Sequence, residues 1–462
     1  MRPLLAAGSL AFLLAACAGP RPAVPLAAGI APPAQWRDGR PGSDVAVDTQ
    51  WWRRFGDATL TGLVEEALAH NEDIEIAAAR VEEARAQFAA ARGASLPQVQ
   101  GVGTGGRTRS VNAFGIDVEQ WASQGEVQAS FDIDLFGRLR NSAAAAKAQL
   151  LASEDSRGTV RLAVCAAVVS GYVQLATFDE RRAILRRTLD ARAETLTLIR
   201  RRAEAGYGSQ LDLAQAEAEY DAAAQAIPTV DLAITKLEDG LSILLGRTPG
   251  PIARGSAITA LTIPVVPPRL PASVLRYRPD IASAEQQIVA ADRSLDVARA
   301  AFMPDVKLSV SGGLVASSLL PGDPLSVFSL GGSILAPIFN GGRNRAQADG
   351  AAARRDQAAF AYRRAALTAF REVEDGMASV ERSAQQEELL AHQQAALLRL
   401  QRLASRRYRE GYSPYLEQLD AERSLLSSQL SLVQSRGDRL LASTALFQAL
   451  GGGWQPLEQR EK

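Results

Sequence analysis

The chain repeats one pattern of residues along most of its length, and this duplication constrains its fold more than any other feature. Early in each copy, Asp73 and Pro97 correspond to Asp280 and Pro304, at an offset of 207 residues. Later pairs at an offset of 205 are Arg138 and Arg343, Gly206 and Gly411, Tyr207 and Tyr412, and Leu245 and Leu450. A near-constant offset indicates two structural halves with the same elements in the same order.

Length and composition favour long helices and give no sign of a polyanionic partner. A chain of 462 residues could hold two or three domains, but the duplication favours one architecture built twice. Alanine-rich stretches with scattered charged residues favour closely packed helices. The formal net charge is zero and basic residues are spread along the chain, so we expect no nucleic-acid partner.

The N-terminus is typical of an exported protein. Arg2 and the apolar run that follows predict a signal peptide over residues 1–16. Leu14-Ala15-Ala16-Cys17 resembles a bacterial lipobox, in which Cys17 would receive a lipid, while ordinary cleavage after Ala18 is the alternative. Residues 17–57 are then expected to form a lipid-anchored, extended segment. The other cysteine, Cys165, is expected to be a buried, unpaired hydrophobe.

Two stretches alternate in polarity as strands do. From Glu126 to Leu135 apolar and polar residues alternate strictly, and residues 306–311 repeat the pattern. We expect β-hairpins at about 98–135 and 305–338, with strands of roughly ten residues, long enough to cross a membrane when tilted. A soluble two-hairpin sheet is the alternative. Since four strands cannot close a barrel and open edges are unstable in lipid, membrane-spanning strands would require an oligomer.

Each second strand precedes a very long helical segment without proline. The segments at 138–205 and 344–410 would each extend on the order of 100 Å. Their apolar residues recur at coiled-coil spacing, with Arg182 and Arg192 interrupting the first seam. No apolar run of about twenty residues is found after the signal peptide, so we expect no membrane-spanning helix.

Both long helices end at glycine and turn back as helical hairpins. In the first return, Ser209 and Asp212 are placed as N-cap and third helical residue. In the second, Ser413 is expected to cap, Pro414 to begin the helix, and Glu417 to complete a capping box. Pro228 is expected to kink the first returning helix. The predicted domains are a first repeat at 58–250, a Pro-rich linker at 251–272, a second repeat at 273–453 and a tail at 454–462.

Several short motifs occur in a specific order. They are Trp51-Trp52-Arg53-Arg54-Phe55-Gly56-Asp57, Phe131-Asp132-Ile133-Asp134-Leu135-Phe136-Gly137-Arg138, Arg278-Pro279-Asp280-Ile281, Pro337-Ile338-Phe339-Asn340-Gly341-Gly342-Arg343 and Leu419-Asp420-Ala421-Glu422-Arg423. In this arrangement the chain resembles the TolC/OprM-like outer-membrane factor family, the outer membrane efflux proteins, in its NodT-type lipoprotein branch.

The resemblance implies an α+β membrane protein. In it, duplicated helical hairpins form a long periplasmic α-helical barrel, and four strands per chain contribute to a trimeric outer-membrane β-barrel. It further implies a passive outer-membrane channel for drugs or other small molecules, docked to a periplasmic adaptor and an inner-membrane pump of the proton-driven RND type. The outer-membrane component of a type I protein secretion system is the alternative within transport. A lipid-anchored coiled-coil protein without a pore is the alternative outside it.

The resemblance also assigns residues. Asp420 and Glu417 would form the acidic ring that narrows the periplasmic end of the pore, although Glu417 could equally be a capping residue. Asp212 and Tyr408 would link neighbouring helices at the tips, and Gly206, Tyr207, Gly411 and Tyr412 would lie where the adaptor docks. Ser413 occupies a position often filled by arginine, which makes an arginine lock doubtful at that point.

The sequence offers no residues for catalysis or for a metal. His70 and His392 are the only histidines, and neither has cysteine, histidine and carboxylate partners at ligand spacing. No nucleophile, base and acid can be placed in a common pattern. We therefore expect no enzyme activity and no cofactor besides the lipid on Cys17.

Overall fold

The computed structural model describes residues 20–37, 47–266, 270–318 and 324–456. The predicted signal peptide and Cys17 lie outside these ranges. The α-helices are α1 (Ala58–His70), α2 (Glu72–Gly93), α3 (Arg138–Glu204), α4 (Gln210–Leu244), α5 (Pro271–Arg276), α6 (Pro279–Ala300), α7 (Arg343–Arg409) and α8 (Tyr415–Ala449). The strands are β1 (Gln98–Val111), β2 (Asp117–Ile133), β3 (Asp305–Ser317) and β4 (Leu325–Leu335).

The predicted duplication is confirmed element by element. Helices α3 and α7 both contain 67 residues, and α4 and α8 both contain 35. The shorter helices α2 and α6 each contain 22 residues. In both halves the order is helix, β-hairpin, long helix and returning helix, so the predicted fold class is confirmed.

The two β-hairpins join into one antiparallel sheet in the order β1-β2-β3-β4. The β2–β3 pairing connects the two repeats, with Val127 opposite Gly312 and Phe131 opposite Leu308. Sequence patterning predicted the hairpins but not this central pairing. Within the chain β1 and β4 each pair on one side, so the sheet has two open edges.

The chain divides into two compact units, and each unit takes segments from both repeats. The first contains the described residues up to Ile30, Ala79–Glu154 and Ser283–Arg364, including the sheet. The second contains Ala31–Ala78, Asp155–Ala282 and the described residues from Ala365 onward, including both hairpin tips. A repeat is therefore a unit of sequence and not a compact unit of the structure. Each compact unit is formed by equivalent segments of both repeats.

A buried polar network organises the second unit around Asp57. Its carboxylate caps α1 by accepting the Leu60 N–H at 2.9 Å, and it also accepts the Ser256 N–H at 2.6 Å and the Tyr172 hydroxyl at 3.1 Å. Burial alone would raise the pKa of Asp57, but these hydrogen bonds outweigh it and hold the pKa below its ordinary value. The network fastens the inter-repeat linker to α1 and α3.

Helix α3 corrects one prediction about apolar runs. It contains an 18-residue stretch that is long and apolar enough, by composition alone, to cross a membrane. Val168, Val169 and Val173 of this helix are fully buried, so these apolar side chains serve packing within the chain. Cys165 lies among them as predicted, and burial raises the pKa of its thiol to about 12.

The extended N-terminal segment is docked rather than free. In the first unit, Arg355 is almost fully buried and donates to the carbonyl oxygens of Pro22 at 2.6 Å and Ala23 at 2.9 Å. Arg21 adds an ion pair with Asp292 at 2.8 Å. Arg355 thus holds the segment through its backbone, and Arg21 adds a contact through a side chain of the segment itself.

Candidate functional site: the exposed sheet face and the hairpin tips

On one face of the sheet, apolar side chains of β4 and β2 are exposed. Phe328, Leu330 and Ile334 of β4 are 90%, 81% and 74% exposed, and Val127 of β2 is also exposed. On β2 the intervening polar residues are partly covered and bond to one another, as with the amide of Gln124 and the carboxylate of Glu126 at 3.1 Å. A soluble sheet would cover its apolar face, so the arrangement is that of a lipid-facing surface with a polar interior.

Charged side chains gather where the strands meet the helices. Asp132 lies 3.4 Å from both Arg138 and Lys307, and Arg138 also lies 3.7 Å from Asp305. This ionic cluster belongs to the first unit and comes directly after the apolar band. Such a change from apolar to charged side chains is expected where a membrane ends.

The first hairpin tip forms as the sequence predicted. Gly206 takes a left-handed φ of 80°, and the Tyr207 N–H returns to the carbonyl of Arg202 at 2.9 Å, which ends α3. The Ser209 hydroxyl then accepts the Leu211 N–H at 3.1 Å and begins α4. Tyr207 is exposed at the apex. Helix α4 continues through Pro228 without a break.

The second tip differs from its predicted capping. Gly411 and Tyr412 repeat the first turn, with Tyr412 exposed, but α8 begins only at Tyr415. Pro414 occupies the N-cap position, and the buried Ser413 hydroxyl makes no hydrogen bond, so the predicted Ser413 cap is wrong. The helix starts one residue late because the Tyr415 ring is buried in the core between the hairpins.

Helices of both hairpins pack together beneath the tips. Leu196, Ile199 and Ala216 of the first hairpin contact Tyr415 and Leu419 of the second. Burial and the nearby carboxylates of Glu422 and Glu219 raise the pKa of Tyr415 to about 12.

The predicted link residues Asp212 and Tyr408 are not joined by a hydrogen bond within the chain. The ring centroid of Tyr408 lies 5.5 Å from that of Tyr415, and the Arg202 guanidinium lies 5.8 Å from the Tyr408 ring. Both contacts tie α7 to the other tip helices through apolar and cation–π packing. A role for Asp212 and Tyr408 between chains stays a prediction.

An ion network built on a buried pair, which sequence reasoning missed, joins the two hairpins. Arg192 of α3 lies 2.6 Å from Glu219 of α4, and Arg423 of α8 donates to Glu219 from the other side. In the sequence, Arg192 is visible only as an interruption of the apolar seam of α3. The detectable signal was a charged residue at a core position of each facing helix, which requires a buried partner.

The predicted ring acids are both exposed. Asp420 lies 3.9 Å from Arg423, and Glu417 lies 3.6 Å from Arg407. Their exposure leaves both carboxylates free to face an aqueous space. Glu417 is the third residue of α8, but it forms no capping box with Ser413.

A lipid-facing sheet carried by duplicated long helical hairpins defines a class of outer-membrane channel proteins. The family model for the outer membrane efflux protein matches residues 63–247 and 270–452, and the chain belongs to that family. It is therefore a channel component of an efflux system in the outer membrane, as the sequence predicted.

Individual relatives cover nearly the whole chain. The pyoverdine export outer membrane protein OpmQ of Pseudomonas aeruginosa is 34% identical over 460 residues, covering 97% of this chain and 96% of its own. The solvent efflux pump outer membrane protein SrpC of Pseudomonas putida is 34% identical over 410 residues, covering 87% and 86%. The open state of the Neisseria gonorrhoeae MtrE outer membrane channel is 28% identical with a TM-score of 0.82, covering 94% and 99%.

Proposed function

We propose that three copies of this chain close their four-stranded sheets into one twelve-stranded barrel that conducts small molecules across the outer membrane. The supporting observation is the sheet itself, which exposes apolar side chains of β2 and β4 and is open at both edges. Open edges in lipid leave backbone groups unpaired at several kcal/mol each, so β4 of one copy pairs with β1 of the next. Exposed Phe114 and Trp121 in the β1–β2 hairpin suit the membrane interface.

The channel works with a periplasmic adaptor and an inner-membrane pump, of the RND type. Support for this comes from the relatives, whose names assign pyoverdine export to OpmQ and solvent efflux to a pump containing SrpC. The cargo is accordingly small molecules rather than proteins. Exposed Tyr207 and Tyr412 at the tips of the hairpins are the contact points for the adaptor.

The periplasmic entrance is narrowed by Asp420 and Glu417. Around a threefold axis, three copies of each exposed carboxylate would repel one another and attract cations. Across chains, Asp212 and Tyr408 form the weaker link that holds neighbouring helices, since a neutral hydrogen bond contributes only about 1 kcal/mol. Docking of the adaptor at the tips opens the entrance.

A lipid on Cys17 anchors the N-terminal segment to the outer membrane. The segment that follows is held by Arg355 and Arg21, so the anchor is tethered to the same compact unit as the lipid-facing sheet. Metabolic labelling with palmitate checks this directly. Label in the wild-type chain and none in Cys17→Ser is expected, and equal label in both would contradict it.

The function is tested by a photo-crosslinking amino acid at Tyr412, with identification of captured proteins by mass spectrometry. Export by cells that lack the chromosomal copy is measured in parallel. Capture of an adaptor for a proton-driven pump, together with restored export of small molecules, is the expected result. Capture of an adaptor for an ABC exporter would move the function to protein secretion, and failure to restore any export would contradict the channel.

A further inference from the structure

Four arginines form a straight line on α7 just before the second tip. Arg399, Arg402, Arg406 and Arg409 are separated by three, four and three residues, a spacing that places them on one face of the helix. All four are exposed. These four residues are named the arginine stripe.

The arginine stripe has no acidic partner in the described part of the chain. Arg407, which lies off the stripe, pairs with Glu417, whereas the one polar side-chain contact of the stripe is from Arg409 to the Ser405 carbonyl at 3.2 Å. Like charges at these spacings destabilise a helix. The helix dipole favours cations only in the last turn, so it does not account for Arg399 or Arg402.

The corresponding face of the first repeat has a different charge. At an offset of 205 residues, the stripe corresponds to Glu194, Thr197, Arg201 and Glu204 of α3, which are all exposed. One tip therefore presents four positive charges, and the other presents two negative charges and one positive. In a ring of equivalent hairpins, equivalent faces point in the same direction and do not meet, so these two faces do not neutralise each other.

Exposed leucines flank the arginine stripe. Leu400 and Leu403 are 48% and 60% exposed although they lie on a helix with a well-formed apolar seam. A straight line of cations beside apolar side chains, repeated at heptad spacing, matches the geometry of a second helix packed along the first. Binding to a lipid headgroup layer or to a nucleic acid would require positive charge on the helix, but it would not require heptad spacing of the arginines.

We propose that the arginine stripe binds an acidic helix of the periplasmic adaptor, one that carries Glu or Asp at the same spacing beside apolar residues. The inference rests on the proposed function and specifies the chemistry of its partner. Because the first repeat lacks the stripe, the acidic helix distinguishes the second tip from the first. Each chain then has two docking positions that are equivalent in fold and unequal in charge.

The test uses the full-length trimer and a synthetic helical hairpin with Glu at the spacing of the stripe, compared with a hairpin carrying Gln at the same positions. Fluorescence anisotropy at low and physiological salt gives the affinities. The wild-type chain is expected to bind the Glu hairpin about tenfold more tightly than the Gln hairpin, with the difference reduced by salt. The variant Arg402→Glu/Arg406→Glu is expected to lose this preference and to bind a Lys hairpin instead.

The variant Arg354→Glu/Arg371→Glu is the matched control, because it makes the same charge change at exposed positions of α7 outside the stripe. It is expected to bind like the wild type. Equal binding of the Glu hairpin by the stripe variant and the wild type would overturn the inference. Stripe-dependent binding of anionic phosphatidylglycerol vesicles without binding of the Glu hairpin would also overturn it. Export in cells tests the proposed function separately, since it can persist when hairpin binding fails.

Discussion

Arg192 and Glu219 form a buried ion pair beneath the hairpin tips, with Nη1 2.6 Å from Oε2 and side chains that are 8% and 10% exposed. Arg423 shares the same carboxylate from the second hairpin, so a single glutamate connects both hairpins of the chain. The equivalent positions one repeat later are Leu397 and Ser424, which cannot form such a pair. The second repeat therefore lacks this ion pair. The ionic connection belongs to the contact between the two hairpins of one chain.

Replacing Glu219 with Gln is expected to lower the free energy of unfolding by about 3 kcal/mol, because Arg192 would stay buried without a counter-charge. Thermal unfolding followed by circular dichroism measures the effect. Glu217→Gln is the control, since Glu217 pairs with Arg200 at 3.0 Å in an exposed position and its loss should cost less than about 1 kcal/mol. Equal losses in the two variants would contradict a special role for the buried pair.

Stability is expected to fall in acid through Asp57. Because its folded pKa lies below the ordinary value of 3.8, its contribution is complete above that value and is lost as the pH falls through the lowered pKa. In Asp57→Asn the unfolding midpoint should be lower near neutral pH and should change less between about pH 5 and pH 2. A variant with the same acid dependence as the wild type would show that another carboxylate dominates.

Replacing Arg355 with Ala is expected to release the N-terminal segment while leaving the helices folded. The carbonyl oxygens of Pro22 and Ala23 would lose their buried donor, so limited proteolysis should cut near these residues severalfold faster. Arg354→Ala changes an exposed neighbour and serves as the control. An unchanged cleavage rate in Arg355→Ala would mean that Arg21 and other contacts are sufficient to hold the N-terminal segment.

Replacing Asp420 with Asn is expected to reduce the cation selectivity of single channels in planar bilayers, because the proposed acidic ring would lose three negative charges. Glu410→Gln removes another exposed acid near the same tip and should change selectivity little. Reversal potentials measured in a salt gradient give the comparison. The same selectivity in Asp420→Asn and wild type would place the constriction elsewhere.

Sequence periodicity predicted most of the fold because helix and strand periods are local. The ends of α3 and α7 agree with the predicted segments to within one residue, and the glycines at both tips were correctly placed. The pairing of β2 with β3 was not predictable, since it joins residues about two hundred positions apart. Only the three-dimensional sheet shows which strand is the neighbour.

The errors at the sites have physical causes. Ser413 fits a capping pattern, but burial of Tyr415 sets where α8 begins, which is a tertiary effect. The arginine stripe was hidden by averaging charge along the chain, although the spacing of Arg399, Arg402 and Arg406 could have revealed it. Sequence alone does not distinguish Glu219 from other helical acids, because its two arginine partners lie on other helices.

The most direct test of the channel account is the contact between chains in the barrel. At the repeat offsets of 205 residues from β2 to β4 and 207 from β1 to β3, Phe131 corresponds to Ala336 and Leu308 to Gly101. The observed β2–β3 register therefore predicts Ser333 of β4 opposite Thr104 of the next chain. Within one chain, β1 and β4 are separated by three strand spacings, about 14 Å, which is too far for a disulfide. A bond between these edges must therefore join two chains.

The measurement is oxidative cross-linking in cells of Ser333→Cys combined with Cys at Val102, Thr104 or Gly106, followed by denaturing electrophoresis. The account predicts covalent dimers and trimers, strongest with Thr104→Cys, that revert to monomers on reduction. Monomers alone for all three combinations would contradict the closure of the sheets of three chains into one barrel.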